Sequence, residues 1–374
     1  MSARATAIAA AVAGAVFAPF AAADNNLSSK FSVSGFGTLG VSHSNNEQAD
    51  FVASVFRPNG AGGTRSWSAA VDTKLGVQVT AALTDNLTGV VQFISQQRND
   101  NSYRPNVEWA NVSYKFSPDL SVRLGRVVWP LFTRSDSVNV GYANFSIRSS
   151  AELAAEMPNT YSDGVDASYR FMVGGTSNTL TVLWGNSKVR YPGETYLDTK
   201  NIRGLSHVLE IGDLTLHAAY MKMDYIFAYP GGSPDAVHLP MLTLGGVYDN
   251  GKWFAQGDVL RANDPYYGRM DAYAAIGGVR LGSFSPYVGY SRFKQSTYGP
   301  GSSPLVTPSQ STTTLGLRWD LMKNTALKLQ ADRIRSGDVA TVFPISLIFP
   351  QGTQGAFLQR PTATVTSVVL DFVF

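Results

Sequence analysis

The side chains best suited to catalysis or metal binding are few and far apart in this sequence. Its four histidines are His43, His207, His217 and His238, and no two have the spacing that places two imidazoles on one metal ion. The chain has no cysteine, no Gly-x-Ser-x-Gly turn to present a nucleophilic serine and no phosphate-binding glycine loop. Acidic residues are plentiful, but pairing two of them for catalysis depends on contacts between distant segments. The sequence therefore predicts no catalytic residue, no metal site and no cofactor.

Segments in which apolar and polar side chains alternate dominate the rest of the chain. The last of them places Phe372, Leu370 and Val368 on one face, and Asp371 and Ser367 on the other. Alternation with a period of two is typical of a β-strand with one apolar and one wetter face. A strand at the end of a chain has an unpaired backbone edge, and pairing with the first strand would close a barrel.

About sixteen such segments follow one another, each about ten residues long, which is the length of a tilted strand that crosses a bilayer. The predicted strands are Phe31–Val41, Asp72–Leu83, Leu87–Gln97, Val107–Phe116, Leu120–Val127, Gly164–Val173, Thr179–Val189, Gly204–Ile211, Leu214–Tyr225, Met241–Tyr248, Trp253–Arg261, Met270–Leu281, Ser285–Phe293, Thr313–Leu321, Thr325–Ile334 and Val365–Phe374. The predicted fold class is all-β, a 16-stranded antiparallel transmembrane β-barrel.

The links between these segments alternate between short turns and longer connections. The short links are rich in Asp, Asn, Gly and Pro, which favour tight turns. The predicted long links are Ser42–Val71, Arg98–Asn106, Val128–Asp163, Arg190–Arg203, Ile226–Pro240, Ala262–Arg269, Lys294–Thr312 and Arg335–Thr364. Short turns at one rim and long loops at the other are typical of barrels in the bacterial outer membrane.

The parity of the polar residues indicates a wet interior. In Asp72–Leu83, for example, Leu75 and Val77 alternate with Lys74 and Gln78. Most charged and amide side chains in the strands fall on one parity, and His217 falls on it as well. We therefore predict a polar, water-filled interior rather than a packed core.

Composition and the first residues agree with export. Met1–Ala23 has one early positive charge, an apolar stretch and small residues before Asp24, which predicts a secretory signal peptide cleaved after Ala23. Residues 24–374 then form one barrel domain. This mature chain has 29 basic and 27 acidic residues, and so nearly balanced a charge gives no indication of a nucleic-acid partner.

Four passages resemble the general porins of Gram-negative outer membranes, the sixteen-stranded trimeric type. They are Leu124-Gly125-Arg126 followed by Pro130-Leu131-Phe132; Leu315–Leu321 followed by Lys323-Asn324-Thr325; the glycine-rich Phe31–Gly40; and the terminal Phe374. The resemblance implies an outer-membrane protein in contact with lipid and lipopolysaccharide, a homotrimer, and a third loop that folds into the barrel and narrows it.

The loop that corresponds to this constriction loop is Val128–Asp163, the connection after the fifth strand, with a short helix predicted at Ala151–Glu156. Its charged residues predicted to line the constriction are Arg134, Asp136, Arg148, Glu152 and Glu156. Opposing bases on the wall, assigned by parity, are Lys74, Arg123, Arg170, Arg318 and Lys328, with Arg126 at a point where a bulge could turn it either way. Fixed charges around a narrow aqueous passage decide which ions and polar solutes cross.

The predicted function is passive diffusion of ions and small hydrophilic solutes, with a weak preference for anions because bases outnumber acids in this set. A substrate-selective channel with a site in its lumen is the alternative, and an outer-membrane hydrolase is a more distant one. The tyrosines of the long links, Tyr103, Tyr266, Tyr267 and Tyr298, leave open a role in adhesion or phage contact.

Overall fold

A computed structural model describes residues 30–54, 60–98, 100–154, 160–190, 194–232, 235–265, 268–295, 308–337, 346–348 and 361–374. Sixteen long strands form one closed antiparallel β-barrel, as the alternating pattern predicts. Their bounds are β1 Phe31–Ser44, β2 Lys74–Ala82, β3 Leu87–Gln96, β4 Asn106–Lys115, β5 Leu120–Val128, β6 Tyr161–Val173, β7 Thr176–Arg190, β8 Tyr196–Ile211, β9 Leu214–Ala228, β10 Val237–Asp249, β11 Trp253–Asp264, β12 Gly268–Val279, β13 Phe284–Gln295, β14 Ser309–Met322, β15 Thr325–Ser336 and β16 Thr362–Val373.

The two ends of the chain close the barrel. β1 pairs with β16 in a register that runs from Phe36 opposite Val373 to Ser44 opposite Val365. The inner face of this seam is polar, since Thr38 donates a hydrogen bond of 2.5 Å to Asp371. Because every strand has two partners, the barrel has no exposed backbone edge.

The two rims differ as predicted, although the links at the loop rim are shorter than the sequence indicates. Only 191–195 separate β7 from β8, and only 265–267 separate β11 from β12, where the alternating pattern predicts links of Arg190–Arg203 and Ala262–Arg269. The pattern loses its apolar residues where strands leave the membrane, but backbone pairing does not depend on them. In β7, for example, the outward residues Lys188 and Arg190 remain paired with β8 beyond a register shift between Gly185 and Ser187.

The outer face of the wall is apolar and exposed, as expected for a surface in contact with lipid acyl chains. Leu75, Leu124, Val182, Leu244 and Leu315 are examples. In the part of the chain that the structure describes, no helix has the length and apolarity needed to span a membrane.

Other short elements lie in the loops. Asp50–Phe51, Ala61–Gly62 and Leu347–Ile348 form a small sheet that joins the first and last loops, and Trp67–Ser68 pairs with β1. The connection between β5 and β6, residues 129–160, is called the third loop below. It contains two 3₁₀ turns, Ser135–Ser137 and Gly141–Ala143, and the helix α1, Ala151–Ala154, at the predicted position.

Candidate functional site: the barrel interior and the third loop

The first part of the third loop is held by β10 and β11. Thr243 on β10 donates a hydrogen bond of 2.5 Å to the carbonyl oxygen of Leu131. Both the backbone N–H and the hydroxyl of Thr133 donate to the carboxylate of Asp258 on β11, at 3.0 and 2.6 Å. These strands are the fifth and sixth from β5, so the loop contacts parts of the wall far from the strands that it connects.

An apolar cluster covers the inner wall on this side. Its members, from the third loop and from the inward faces of β5 and β7–β13, are Val127, Trp129, Leu131, Leu183, Ile202, Ala219, Met221, Met223, Leu239, Met241, Leu260, Ala262, Met270, Ala272 and Phe293. Each is less than a tenth exposed. The prediction of a polar interior is therefore wrong for this part of the wall, because inward methionine and leucine side chains pack with the loop instead of contacting water.

The middle of the third loop is bound by two predicted wall bases. Lys328 on β15 donates to the carbonyl oxygens of Gly141 and Asn144, both at 2.7 Å, and of Ser146 at 3.1 Å. Its Nζ also lies 2.9 Å from the carboxylate of Asp371. Arg318 on β14 donates to the carbonyl oxygen of Tyr142 at 2.7 Å and to Asn144 at 3.1 Å. These two cations thus bind loop backbone, and Lys328 has no exposed surface.

Arg148 forms a further, ionic attachment of the third loop, which we call the Arg148 latch. Its guanidinium donates to Asp72 at 2.8 and 2.6 Å, to Asp332 on β15 at 2.8 Å and to Ser367 on β16 at 2.6 Å. Burial by itself would raise the pKa of Asp72, but Arg148 outweighs burial and holds that pKa below its ordinary value. Burial likewise opposes the charge of Arg148, yet its carboxylate partners leave its pKa raised.

Glu152 forms another attachment, to the wall opposite β5. Its carboxylate accepts hydrogen bonds from Ser150 and from Ser291 on β13, at 2.9 and 2.8 Å. Gln310 and Thr312 on β14 donate to its other oxygen at 2.7 and 2.5 Å. With 1% of the residue exposed, Glu152 anchors α1 to the wall and offers no charge to a passage.

Arg134 lies near the turn rim, between the third loop and the wall. It donates to the carbonyl oxygen of Ala143 at 2.7 Å, and its guanidinium carbon lies 5.0 Å from the centre of the Phe145 ring. Burial is the main cause that lowers the pKa of Arg134, and the nearby charges of Arg280 and Arg318 contribute. Arg280, which the parity assignment did not single out, pairs with Asp249 at 2.6 Å.

Arg123 lies on the part of the wall that the loop leaves accessible. Its side chain is 34% exposed and forms a two-pronged ion pair with Asp166 on β6, at 2.5–3.1 Å. Asp136, exposed on the third loop, interacts electrostatically with Arg123. Asp136 and Arg123 are therefore a pair in which an acid of the third loop lies near a base of the wall, as predicted for the constriction. Lys74 on β2 is half-buried, and Arg170 is exposed near the turn rim of β6.

Arg126 lies on the outer face of the barrel. Leu124 faces outward, since it is 67% exposed. Arg126 lies two residues later with no register shift in the pairing of β5 with β6, so its side chain lies on the same face. Its guanidinium pairs with Asp163 at 2.7 and 2.8 Å and stacks 3.9 Å from the centre of the Tyr161 ring. We therefore leave Arg126 out of the constriction proposed below. Glu156, Tyr266, Tyr267 and Tyr298 lie outside the described residues.

The acids that hold the loop were missed from the sequence, although Asp258 and Asp332 stand on the inward parity of strands. Isolated acids on that parity within strands are the signal that could have found them. Asp72 precedes β2 in the structure, but it begins the predicted strand Asp72–Leu83 on the same parity as Lys74, so the same signal applies to it. Within the described ranges, no group of three or more His, Asp or Glu side chains is arranged to bind a metal ion.

Comparison with known proteins agrees with this architecture. A family profile described as "Gram-negative porin" matches residues 5–339. No curated protein sequence is significantly similar to the chain.

Three solved structures show the same fold. The anion-selective porin from Comamonas acidovorans is 16% identical, with a TM-score of 0.56, and the match covers 92% of this chain and 100% of that chain. OmpF of Salmonella typhi, in complex with daunomycin, is 12% identical with a TM-score of 0.55, covering 92% and 97%. The outer membrane channel DcaP of Acinetobacter baumannii is 11% identical with a TM-score of 0.58, covering 92% and 98%.

The family profile spans most of the chain, and the closed sixteen-stranded wall with an apolar outer face is the architecture that a membrane channel of this kind requires. These findings point to a channel rather than an enzyme. The chain belongs to the Gram-negative porin family and is an outer-membrane channel for small solutes.

Proposed function

We propose that the third loop folds into the barrel, fills the side lined by β7–β13 and leaves a water-filled passage along β2–β6. The inward side chains of these strands are mostly polar and partly accessible, among them Gln78, Asn111, Ser113, Arg123 and Ser168. Ions and small hydrophilic solutes diffuse through this passage without a covalent step. Acid–base chemistry has no role in this mechanism, and we propose that the chain is not an enzyme.

One observation carries this proposal: the loop is bound to inward-facing side chains close to the turn rim. Gly141 contacts Lys328, which is the fourth residue of β15 after the turn, while the loop itself leaves the wall at the opposite rim. Discrete conductance steps of purified protein in planar bilayers are the test. A preparation that inserts into bilayers but gives no steps would refute the channel, and hydrolysis of lipid or peptide substrates would favour an enzyme.

We propose that the narrowest part of the passage lies between Asp136 on the loop and the Arg123–Asp166 pair on the wall. This set carries two acids and one base, so it does not favour anions. Arg318 and Lys328, which were predicted as pore-lining bases of the wall, donate to the backbone of the third loop, and Arg148 of the loop pairs with Asp332 on the wall. A weak anion preference, if measured, therefore arises from bases elsewhere in the lumen, and the turn-side pair Lys115 and Arg170 is the best placed.

A homotrimer is the proposed assembly, with β16 and β1–β5 as the contact between protomers. β2–β5 have 9 or 10 residues each, against 12 to 16 for the remaining strands. The outward residues of β2–β4 are uncharged and small or apolar, such as Val77, Val79, Val91 and Val112. Light scattering of the detergent-solubilised protein should give three copies, and a monomer would refute this assignment.

Lipopolysaccharide is the proposed lipid partner. Basic side chains point outward near the loop rim of β7–β9, β11–β13 and β15, and we call them the outer basic belt: Lys188, Arg190, Lys200, Arg203, Lys222, Arg261, Arg269, Arg292, Lys294, Arg333 and Arg335. Phosphate groups are the natural partners of such a belt. Mass spectrometry of the protein should detect bound lipopolysaccharide, and Arg292→Gln with Arg333→Gln should reduce it.

For export, we propose that the chain is targeted by residues 1–23 and cleaved after Ala23. N-terminal sequencing of the outer-membrane protein should begin at Asp24.

A further inference from the structure

A small cavity lies at the turn rim of the barrel, away from the loop attachments. It encloses about 190 Å³ beside the turn that joins β4 to β5. Lys115, Ser121, Arg170 and Thr179 contribute to its lining from four neighbouring strands. All four have the inward parity, so the cavity opens on the lumen.

The strand register brings these residues together. Lys115 pairs with Ser121, which in turn pairs with Ser168. Arg170 pairs with Thr179 in the adjacent row. The backbone N–H of Arg170 donates to the carbonyl oxygen of Asp119 at 2.8 Å, which ties β6 to the turn. The cavity is therefore built from ladder positions, and the β-sheet fixes its backbone.

Two of the lining side chains are cations without an ionic partner. Among the described residues, neither Lys115 nor Arg170 has a carboxylate within ion-pair distance, in contrast to Arg123, Arg148 and Lys328. Asp119 is the one acid among the residues lining the cavity. The cavity thus has two positive charges and one negative charge.

Hydroxyl donors complete the lining. The Oγ of Ser117 accepts hydrogen bonds from the backbone N–H groups of Asp119 and Leu120, at 3.2 and 3.0 Å. Because its lone pairs are engaged in this way, the hydroxyl proton of Ser117 remains available as a donor. Ser121 and Thr179 add hydroxyl groups at the same wall. Ammonium, guanidinium and hydroxyl donors around one cavity match a ligand with several anionic oxygens.

We propose that this cavity is a binding site for small oxyanions, with inorganic phosphate as the representative ligand, at the turn-side mouth of the channel. The inference rests on the proposed function, since it places the site on the path of solutes that leave the passage. Several oxygens let one ligand contact Lys115, Arg170 and a hydroxyl together, which a chloride ion cannot do. The site would therefore favour oxyanions over chloride, and bound oxyanion would reduce the ionic current.

Binding is tested first without reference to conductance. Calorimetry of the detergent-solubilised protein with inorganic phosphate should give saturable binding, with sodium chloride at matched ionic strength as the reference. Lys115→Gln and Arg170→Gln should each weaken binding by about tenfold or more, the effect of losing one charged hydrogen-bond partner. Lys323→Gln removes an exposed base from the turn between β14 and β15 at the same rim, and it should leave binding unchanged.

Planar bilayers then locate the site. Phosphate added on the turn side should reduce the chloride current at lower concentration than phosphate added on the loop side, and both lumenal variants should abolish this difference. Absence of saturable binding, or equal binding by the two variants and the wild type, would overturn the proposal even if conductance steps are present. Phosphate binding that depends on both Lys115 and Arg170 would support the site even if no conductance steps appear. Absence of conductance steps would then refute the channel and leave the binding site standing.

Discussion

Replacing Arg148 with methionine should weaken the attachment of the third loop to the wall. Methionine keeps much of the length of the side chain but removes the charge and every donor. Asp72 and Asp332 would then be left as buried carboxylates, since their side chains are 4% exposed and that of Arg148 only 11%. Breaking a buried ion pair by removing one partner costs about 3–5 kcal/mol. The cost applies to the attached position of the loop, because the strand ladders do not depend on Arg148.

A penalty of this size changes the ratio of attached to detached loop by roughly a hundredfold to several thousandfold. Single-channel recordings of Arg148→Met should therefore show larger or strongly fluctuating conductance. Combining Arg148→Met with Asp72→Asn and Asp332→Asn removes the uncompensated charges and should restore most of the steady single-channel conductance of the wild type. Arg335→Met, an exposed outward position on the same strand as Asp332, is the matched control. A quiet trace with unchanged conductance in Arg148→Met would refute the latch.

Three further outcomes follow from the same contacts. The pKa of Asp72 in the folded protein lies below its ordinary value of 3.8, so its stabilising effect is complete above that pH and is lost as the pH falls further. Current noise should therefore rise in acid for the wild type, and Asp72→Asn should show a smaller rise, since only Asp332 then remains as a carboxylate partner of Arg148. Arg123→Gln removes one positive charge from the passage and leaves Asp166 unpaired, so the reversal potential in a salt gradient should shift toward cation selectivity. One unit charge at close range in water, about 1 kcal/mol, changes the local concentration of each ion by about fivefold. An unchanged reversal potential would remove Arg123 from the constriction. Gly164→Ala would place a Cβ 2.1 Å from a backbone carbonyl oxygen of β7, so urea titration should show a loss of about 1–3 kcal/mol in unfolding free energy, whereas Gly89→Ala, with its nearest atom at 3.9 Å, should not.

The sequence by itself determined the wall of this protein. A period of two is a local property of each strand, and a strand with one apolar face needs partners on both edges, so the number of strands and the closure of β1 on β16 follow from residues such as Leu370 and Asp371. Turn formation also depends on neighbouring residues in the chain, so the rim with short turns was predicted from the sequence as well. The loop-rim bounds were less accurate, because the ladder between β7 and β8 continues where the apolar alternation ends.

Only the tertiary structure decided what each inward charge does. Parity places Lys328, Arg318 and Arg123 on the same inner face, yet Lys328 and Arg318 donate to the third loop, and Arg123 remains accessible. The difference arises from the path of the loop, which brings Gly141 to a strand 187 residues later in the chain. Contacts between segments so far apart depend on how the loop packs on inward apolar side chains. No local period encodes that packing.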